Sequence, residues 1–283
     1  MPELPEVEVT RRGLLSQLPG RTVVRISSSG HRLRTAIPRR LLRMHILDRE
    51  IGTIDRRAKY LLLRMTGGAV LVIHLGMTGK LGLMARETAR HPHDHLILSL
   101  DDDRELRFND SRRFGAILVW PAAEAEAAEH AFSAKEGIEP FGPAFNAAYL
   151  HLLAGTRKTP VKSLLMNGRL IAGIGNIYAN EILFAARVHP LTPAGCLGRD
   201  DWQRIVTEGR RILQQAIDAG GSTIADFLGA SGHPGYFQLH FKVYGRKDGP
   251  CLHCKKTIVK TTLAGRATYF CPACQPLPSR CRP

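Results

Sequence analysis

The sequence lacks long apolar runs, is short of acidic residues, and gathers most of its few cysteines at one end. Its longest apolar stretches, such as Ala69 to Ile73, are strand-sized, so none could span a bilayer. The start, Met1-Pro2-Glu3-Leu4-Pro5-Glu6, is acidic and holds two prolines, the reverse of a basic, apolar leader. A soluble, cytoplasmic protein with no membrane partner is therefore expected. There is no internal repeat and no long low-complexity tract. Asp and Glu number 25 against 40 Lys and Arg, a net charge of +15. An excess of that size favours a polyanionic partner over a merely basic surface, because each phosphate neutralised releases a counterion.

With 283 residues, 44% of them hydrophobic, the chain can build two domains with real cores. Pro5 to about Leu18 reads as a helix, with Pro5 in its first turn, an apolar stripe of Val7, Leu14, Leu15 and Leu18, and Gly20 as its end. From Val23 to Trp120 the pattern is one of strands. Lys59–Arg64, Ala69–Ile73, His95–Leu100 and Gly115–Trp120 are short runs separated by turn residues, which predicts a β-sandwich or barrel. Pro121 closes the last run, and an Ala/Glu-rich helix is expected from about Ala122 to His130. Helical patterns follow over Ala147–Leu153, Val161–Met166, Ile177–Ala186 and Asp201–Ala219, the last capped by Asp200 or Asp201. The expected domains are 1–135, a linker at 136–150, a helical domain at 151–240, and 241–283 as a finger with a tail.

Four of the six cysteines form Cys251-x2-Cys254 and Cys271-x2-Cys274, separated by 16 residues. That is zinc-ribbon spacing: each pair sits on a tight turn, a hairpin lies between, and four thiolates hold one Zn²⁺ with no open position. The metal is expected to be structural. Two separate redox dithiols would explain the same residues less economically, and a disulfide framework does not suit a chain without an export signal. Residues 241–283 carry nine basic side chains and one acidic, +8, and four thiolates around one Zn²⁺ would leave about +6. Cys196 and Cys281 stand apart as spare thiols.

Pro2 stands directly after Met1, and removal of the initiator methionine would make it a secondary amine at the N-terminus. An α-amino group has a pKa of about 8, so an appreciable fraction is neutral and nucleophilic near neutral pH. Its attack on a sugar C1′ or an aldehyde would give an iminium, a covalent electron sink. Glu3 and Glu6 lie beside it at a helix start, where one could protonate a sugar oxygen and the other orient the amine. Taken alone, however, Pro-Glu-Leu-Pro-Glu is only a helix entry.

Six motifs in order change that reading. Met1-Pro2-Glu3-Leu4-Pro5-Glu6-Val7-Glu8, Arg56-Arg57-Ala58-Lys59-Tyr60-Leu61, His74-Leu75-Gly76-Met77-Thr78-Gly79, Asp110-Ser111-Arg112-Arg113-Phe114-Gly115, Gly173-Ile174-Gly175-Asn176-Ile177-Tyr178-Ala179-Asn180-Glu181 and the terminal ribbon run over nearly the whole chain. Together they resemble the formamidopyrimidine-DNA glycosylase family. The resemblance implies an α+β, two-domain fold: an N-terminal β-sandwich with an N-terminal helix, and a helical, helix–two-turns–helix domain with a zinc-ribbon finger. It implies excision of 8-oxoguanine and ring-opened purines from double-stranded DNA by a monomer, then β- and δ-elimination, in a bacterial-type cytoplasm at the nucleoid. Leu4 favours this branch over the endonuclease VIII-like one, which acts on oxidised pyrimidines. A non-catalytic nucleic-acid-binding ribbon protein is a third reading, opposed by the intact set Pro2, Glu3, Lys59 and Arg266.

By the same resemblance Pro2 is the Schiff-base nucleophile, Glu3 the proton donor to the sugar, Lys59 an aid to elimination, and Arg266 the finger arginine of δ-elimination and phosphate binding. Met77, Arg112 and Phe114 would fill the gap left by a flipped nucleotide, although core packing is the stronger reading for Met77 and Phe114 from the residues alone. His93, Arg113, Lys158 and Lys162 would contact the DNA backbone. Gly173-Ile174-Gly175-Asn176 reads as a phosphate seat at a helix start. One departure is Asn167, where the family commonly has an acidic residue. The segment from Ser222 to Phe237 is expected to hold the loop over the flipped base.

Overall fold

The computed structural model describes residues 2–221 and 240–278. Met1, the segment expected to cover the flipped base, and Cys281 lie outside them. The described chain divides into two compact units, residues 2–135 with 217–221, and residues 136–216 with 240–278. No helix among the described residues is long and apolar enough to cross a membrane.

The first unit is the β-sandwich. Strands β1 (Val23–Ser28), β5 (Lys80–Ala85), β6 (Asp94–Leu100) and β7 (Arg104–Asn109) form one antiparallel sheet in the order β1-β6-β7-β5. Strands β2 (Ile51–Arg57), β3 (Tyr60–Met65), β4 (Val70–His74) and β8 (Ala116–Trp120) form the other, in the order β2-β3-β4-β8. One core joins the inner faces: Leu96, Leu98, Leu106 and Phe108 meet Ile54, Leu61, Leu63, Leu71 and Ile73. Helix α1 (Leu4–Leu15) adds Val7 and Leu14, and helix α2 (Arg39–His45) adds Leu42. The second sheet is buried on its outer face too, where Leu62, Val70, Val72 and Trp120 pack beneath helix α3 (Ala125–Ser133) with its partly buried Phe132. Burial on both faces is why β4 reads as an unbroken apolar run rather than an alternation.

Three boundaries differ from expectation. Helix α1 starts at Leu4, with Pro5 within its first two positions, and ends at Leu15, so Leu18 is buried from the turn beyond it. Helix α3 begins three residues later than expected, because 122–124 form a turn after Pro121 and packing, not Ala/Glu content, selects Ala125 and Phe132. In the second unit the long helix α7 (Arg199–Asp218) starts before the expected cap. Asp201 acts from inside its first turn, accepting the Gly198 N–H at 2.9 Å.

The second unit also contains α4 (Ala147–Ala154), α5 (Val161–Leu165), α6 (Asn176–Ala185) and the hairpin of β9 (Val259–Leu263) and β10 (Arg266–Phe270). Its helices bury Tyr178, Trp202 and Phe145. Residues 136–150, expected as a linker, are packed into this unit: Gly137 N–H donates to Gly168, Ile138 bridges Ile171, and Phe145 is fully buried. The ribbon rests on α6 through Phe184, Val243, Ile258 and the buried cysteines.

Candidate catalytic site, probing loops and metal centre

Pro2, Glu3 and Glu6 gather at the start of α1. All three are buried, and each carboxylate residue is only 2% exposed. Glu6 accepts the Glu3 N–H at 2.8 Å, part of a capping box that fixes both carboxylates beside the proline. Gly221, at φ +79°, lies directly over Glu6: a Cβ there would stand 3.4 Å from Glu6 Cγ. It is the left-handed backbone there, more than the spacing, that favours glycine.

Lys59 sits at the tip of the β2–β3 hairpin. Arg57 pairs with Tyr60, so Ala58 and Lys59 form a two-residue turn, with Ala58 in the left-handed region at φ 54°. The tip end of this hairpin is tied to α1 by Glu8, whose carboxylate holds Arg56 at 3.1 Å and Arg11 at 2.8 Å. Burial pushes the Glu8 carboxyl up, but the Arg11, Arg12 and Arg56 guanidiniums outweigh it and hold it below its ordinary value. The first sequence motif ends on Glu8 without giving it a role. In the fold it fixes the element that carries Lys59 to the one that carries Pro2.

His74, at the end of β4, accepts the Gly76 N–H on Nδ1 at 2.9 Å and packs against Tyr60 with ring centroids 4.6 Å apart. Burial, reinforced by the Arg34 and Lys59 charges, lowers its pKa to about 3. It is a neutral imidazole that starts the Met77 loop and stands within the field of Lys59.

Met77, Arg112 and Phe114 are brought together on two adjoining loops. Met77 is 38% and Phe114 43% exposed, so core packing does not account for either. The Arg112 guanidinium lies 5.0 Å over the Phe114 ring. Gly76 and Gly115 let the loops meet. A Cβ on Gly115 would fall 2.5 Å from Phe108 Cζ, and one on Gly76, at φ +67°, would enter the Phe114–Gly115 peptide. Beneath them is Asp110, fully buried, which accepts Thr78 Oγ1 at 2.6 Å and the Gly115 N–H at 2.7 Å. Its backbone N–H donates to His93 and its carbonyl accepts from Arg113. His93 and Arg113 are exposed, and both hold left-handed backbones, φ 75° and 57°. Non-glycine residues adopt that region only when their surroundings impose it. Asp110 is the hub that sequence reasoning missed, although its place at the head of Asp-Ser-Arg-Arg-Phe-Gly was a signal.

In the second unit Lys158 is exposed on the loop before α5. Lys162 requires a correction. The expectation is a contact to the DNA backbone, but Lys162 is 1% exposed, and its ammonium donates to Ala267 O at 2.9 Å and Thr268 Oγ1 at 2.7 Å. It is a strut between α5 and the β9–β10 hairpin, its acceptors already within the protein. Asn176, first residue of α6, donates to the same Ala267 carbonyl at 3.1 Å, and Asn180 accepts the Tyr269 N–H at 2.8 Å. Glu181 accepts three successive backbone N–H groups, of Lys242, Val243 and Tyr244. Asn167 accepts the Arg169 N–H, so it keeps a capping role without the charge. Arg266 is exposed directly after the hairpin turn Ala264–Gly265, in which both residues have positive φ.

The Sγ atoms of Cys251, Cys254, Cys271 and Cys274 lie within 4.8 Å of one another, with Cys251–Cys274 at 3.8 Å and Cys254–Cys271 at 3.4 Å. A tetrahedral ion with bonds of about 2.3 Å requires S···S edges of about 3.8 Å, so the four fit one Zn²⁺. A backbone N–H from Lys256 lowers the Cys254 thiol to about 7, while burial pushes Cys271 up and Cys274 to about 12. Four thiolates in that volume can ionise together only around a cation.

Three family models match the chain: the formamidopyrimidine-DNA glycosylase N-terminal domain over residues 1–117, the H2TH domain of the same enzymes over 137–227, and a zinc finger found in FPG and IleRS over 249–277. A formamidopyrimidine-DNA glycosylase of Halorhodospira halophila is 44% identical over 97% of this chain and 100% of its own. Among solved structures, the MutM (FPG) protein of Thermus thermophilus superposes with TM-score 0.85 at 37% identity, covering 98% of this chain and all of that one. A point mutant of the Lactococcus lactis FPG, solved in complex with DNA containing Fapy-dG, gives TM-score 0.88 at 31% identity, covering 97% and 100%.

Proposed function

The chain belongs to the formamidopyrimidine-DNA glycosylase family, and on that premise we propose that Pro2, once it is the free N-terminus, is the nucleophile of its reaction. The protein is a base-excision repair enzyme, a DNA glycosylase and abasic-site lyase, that carries one structural Zn²⁺ in its ribbon. Its substrate is double-stranded DNA holding an oxidised purine, met in the cytoplasm by a monomer. The observation that carries the catalytic reading is the burial of Pro2 with Glu3 and Glu6 at the start of a helix that the Glu8–Arg56 ion pair joins to the hairpin bearing Lys59.

The secondary amine attacks C1′, forming an N–C1′ bond as the bond to the damaged base breaks, and the amine's proton passes to the departing base. Glu3 gives its proton to the sugar oxygen as the ring opens, and the resulting iminium draws electrons from the sugar chain. Loss of a proton from C2′ then expels the 3′ phosphate, and a second elimination expels the 5′ phosphate. Lys59, whose charge already acts on His74, assists this proton traffic. Arg266, exposed at a hairpin tip, takes the phosphate side of the second elimination. Met77, Arg112 and Phe114 enter the stack that the flipped nucleotide leaves, and His93, Arg113, Lys158 and Asn176 hold the backbone.

Borohydride trapping on a duplex with 8-oxoguanine opposite cytosine tests the reading. A covalent protein–DNA adduct is expected, and none from protein that retains Met1. No adduct with any oxidised base would overturn the nucleophile assignment, and a preference for oxidised pyrimidines would move the chain to the endonuclease VIII-like branch.

A further inference from the structure

A basic segment of the first unit has no part in the chemistry above. Residues 25–49 hold seven arginines, Arg25, Arg32, Arg34, Arg39, Arg40, Arg43 and Arg49, and one acidic residue, Asp48. Arg32, Arg34, Arg39, Arg40 and Arg43 all reach solvent. Among the described residues none of these five has a carboxylate partner, although elsewhere in the unit arginines are commonly paired, as at Arg64–Glu129 and Arg104–Asp102. Cations held close together without counter-charges repel one another, and an arrangement of this kind is relieved by an anion from outside.

The geometry provides a place for one. Helix α2 packs on edge strand β1, and between them lies a pocket of about 180 Å³ lined by Ile26, Ser28, Arg39, Leu42 and Arg43. Its lining brings together two arginines and a serine with apolar Ile26 and Leu42, a donor set that suits a tetrahedral oxyanion. The Arg39 side chain reaches the turn at Gly30, φ +85°, where a Cβ would stand 3.1 Å from Arg39 Nη2.

The pocket also continues the DNA-contacting face. His93 lies 6.2 Å from His95 ring to ring, and His95 lies 6.0 Å from His31. Ser29 hydrogen-bonds His95 at 2.7 Å, and Arg34 N–H donates to Gly115 of the probing loop at 3.0 Å. The strap 29–38 thus leads from the expected phosphate contact at His93 to the pocket at Arg39, with Arg32 and Arg34 exposed along it. Phosphates on one DNA strand recur at a short, regular spacing, so a row of cations fits a backbone better than it fits a single free anion.

We infer that Arg39, Arg43 and Ser28 form a second phosphodiester site, which grips the DNA backbone in the flank of the lesion, outside the segment held around the flipped nucleotide. This rests on the DNA-repair reading above. The site adds affinity and search without touching the reacting atoms.

The test is equilibrium binding of the full, zinc-loaded protein and its double variant Arg39→Gln/Arg43→Gln, across a range of salt. Two probes are used: a short duplex with a central stable abasic-site analogue, and the same duplex extended by about one helical turn, roughly 10 base pairs, on each side. The expected result is a salt slope on the long duplex reduced by about 1 to 2, with a several-fold loss of affinity at moderate salt. Binding to the short duplex, borohydride trapping on it, and Tm should be unchanged. A companion Arg39→Lys/Arg43→Lys variant should keep the slope. Equal weakening on both duplexes would overturn the inference by showing a diffuse charge effect, as would no change on either. Lost binding to single-stranded RNA or to anionic vesicles, with the long duplex unaffected, would overturn it in favour of another partner. Failure of trapping by the unmodified protein would instead strike the parent reading.

Discussion

Two hairpins of this molecule present a cation beside a tight turn, and they are held by different physics. The β2–β3 tip bearing Lys59 grows out of a sheet buried on both faces, where Leu61 and Leu63 enter one core and Leu62 the other. The β9–β10 tip bearing Arg266 belongs to a two-stranded sheet whose β9 side chains are exposed or half-exposed. Beside a small apolar patch of Phe184, Val243 and Ile258, what holds it is polar and metallic: the Lys162 ammonium, the Asn176 and Asn180 amides, the Glu181 carboxylate and four cysteines. Apolar burial is spread over many contacts and tolerates change, whereas a few directional bonds fail one at a time. The two tips should therefore fail under different perturbations.

Zinc removal should separate them most widely. For a small ribbon, binding of the ion contributes about 10 kcal/mol or more and is in effect its folding free energy. Chelation, or Cys271→Ser, should unfold 241–278 and abolish the elimination step assigned to Arg266, while the sandwich keeps its hydrogen-exchange protection. Thiol labelling read by mass spectrometry should find Cys251, Cys254, Cys271 and Cys274 newly reactive. Loss of protection at Leu61–Leu63 in the same sample would contradict the comparison. The next largest effect is expected from Lys162→Met, which leaves Thr268 Oγ1 without its buried donor and Ala267 O with the Asn176 amide alone, at a cost of about 1–3 kcal/mol. Exchange should quicken at Thr268 and Tyr269, with trapping at Pro2 kept.

These different supports also decide what can be read from the sequence. Strands with apolar faces, the α1 helix and the cysteine spacing are legible because burial and metal geometry impose regular patterns. Strand β7 is not, because Arg-Glu-Leu-Arg-Phe-Asn looks solvated; in the fold Glu105 and Arg107 are both buried and pair at 2.8 Å, with Arg107 also holding the carbonyls of Thr88 and Ala89. Lys162 misleads for the same reason, since a lysine reads as a surface charge until its acceptors are known. Met77 and Phe114 mislead in the other direction: apolar residues suggest a core, and only the glycine-crowded loops beneath them show that they are held out. Asp110 and Glu8 act by hydrogen bonds across many residues, which no local pattern encodes.

A third effect concerns acid, spread over a range of pH, and it again distinguishes the tips. His74 is paired with Tyr60 across the β3–β4 ladder, next to Lys59, and its pKa is lowered to about 3 by burial with help from Arg34 and Lys59. In the unfolded chain the same imidazole titrates at about 6.5. Between these values the unfolded chain binds a proton that the native one refuses, so this contribution is full above about pH 6.5, declines as pH falls, and stops declining below about pH 3. The slope cannot exceed about 1.4 kcal/mol per pH unit for one proton. His74→Phe keeps a ring against Tyr60 and removes the titration, although it also removes the acceptor of the Gly76 N–H. Urea unfolding followed through Trp120 of the sandwich, in a Trp202→Phe background that silences the second unit, should show the parent losing more stability than the variant between about pH 6.5 and 4.5. Parallel curves for the two proteins would mean that the imidazole is not held neutral, and that acid acts on the Lys59 tip no differently from the way it acts on the thiolates behind Arg266.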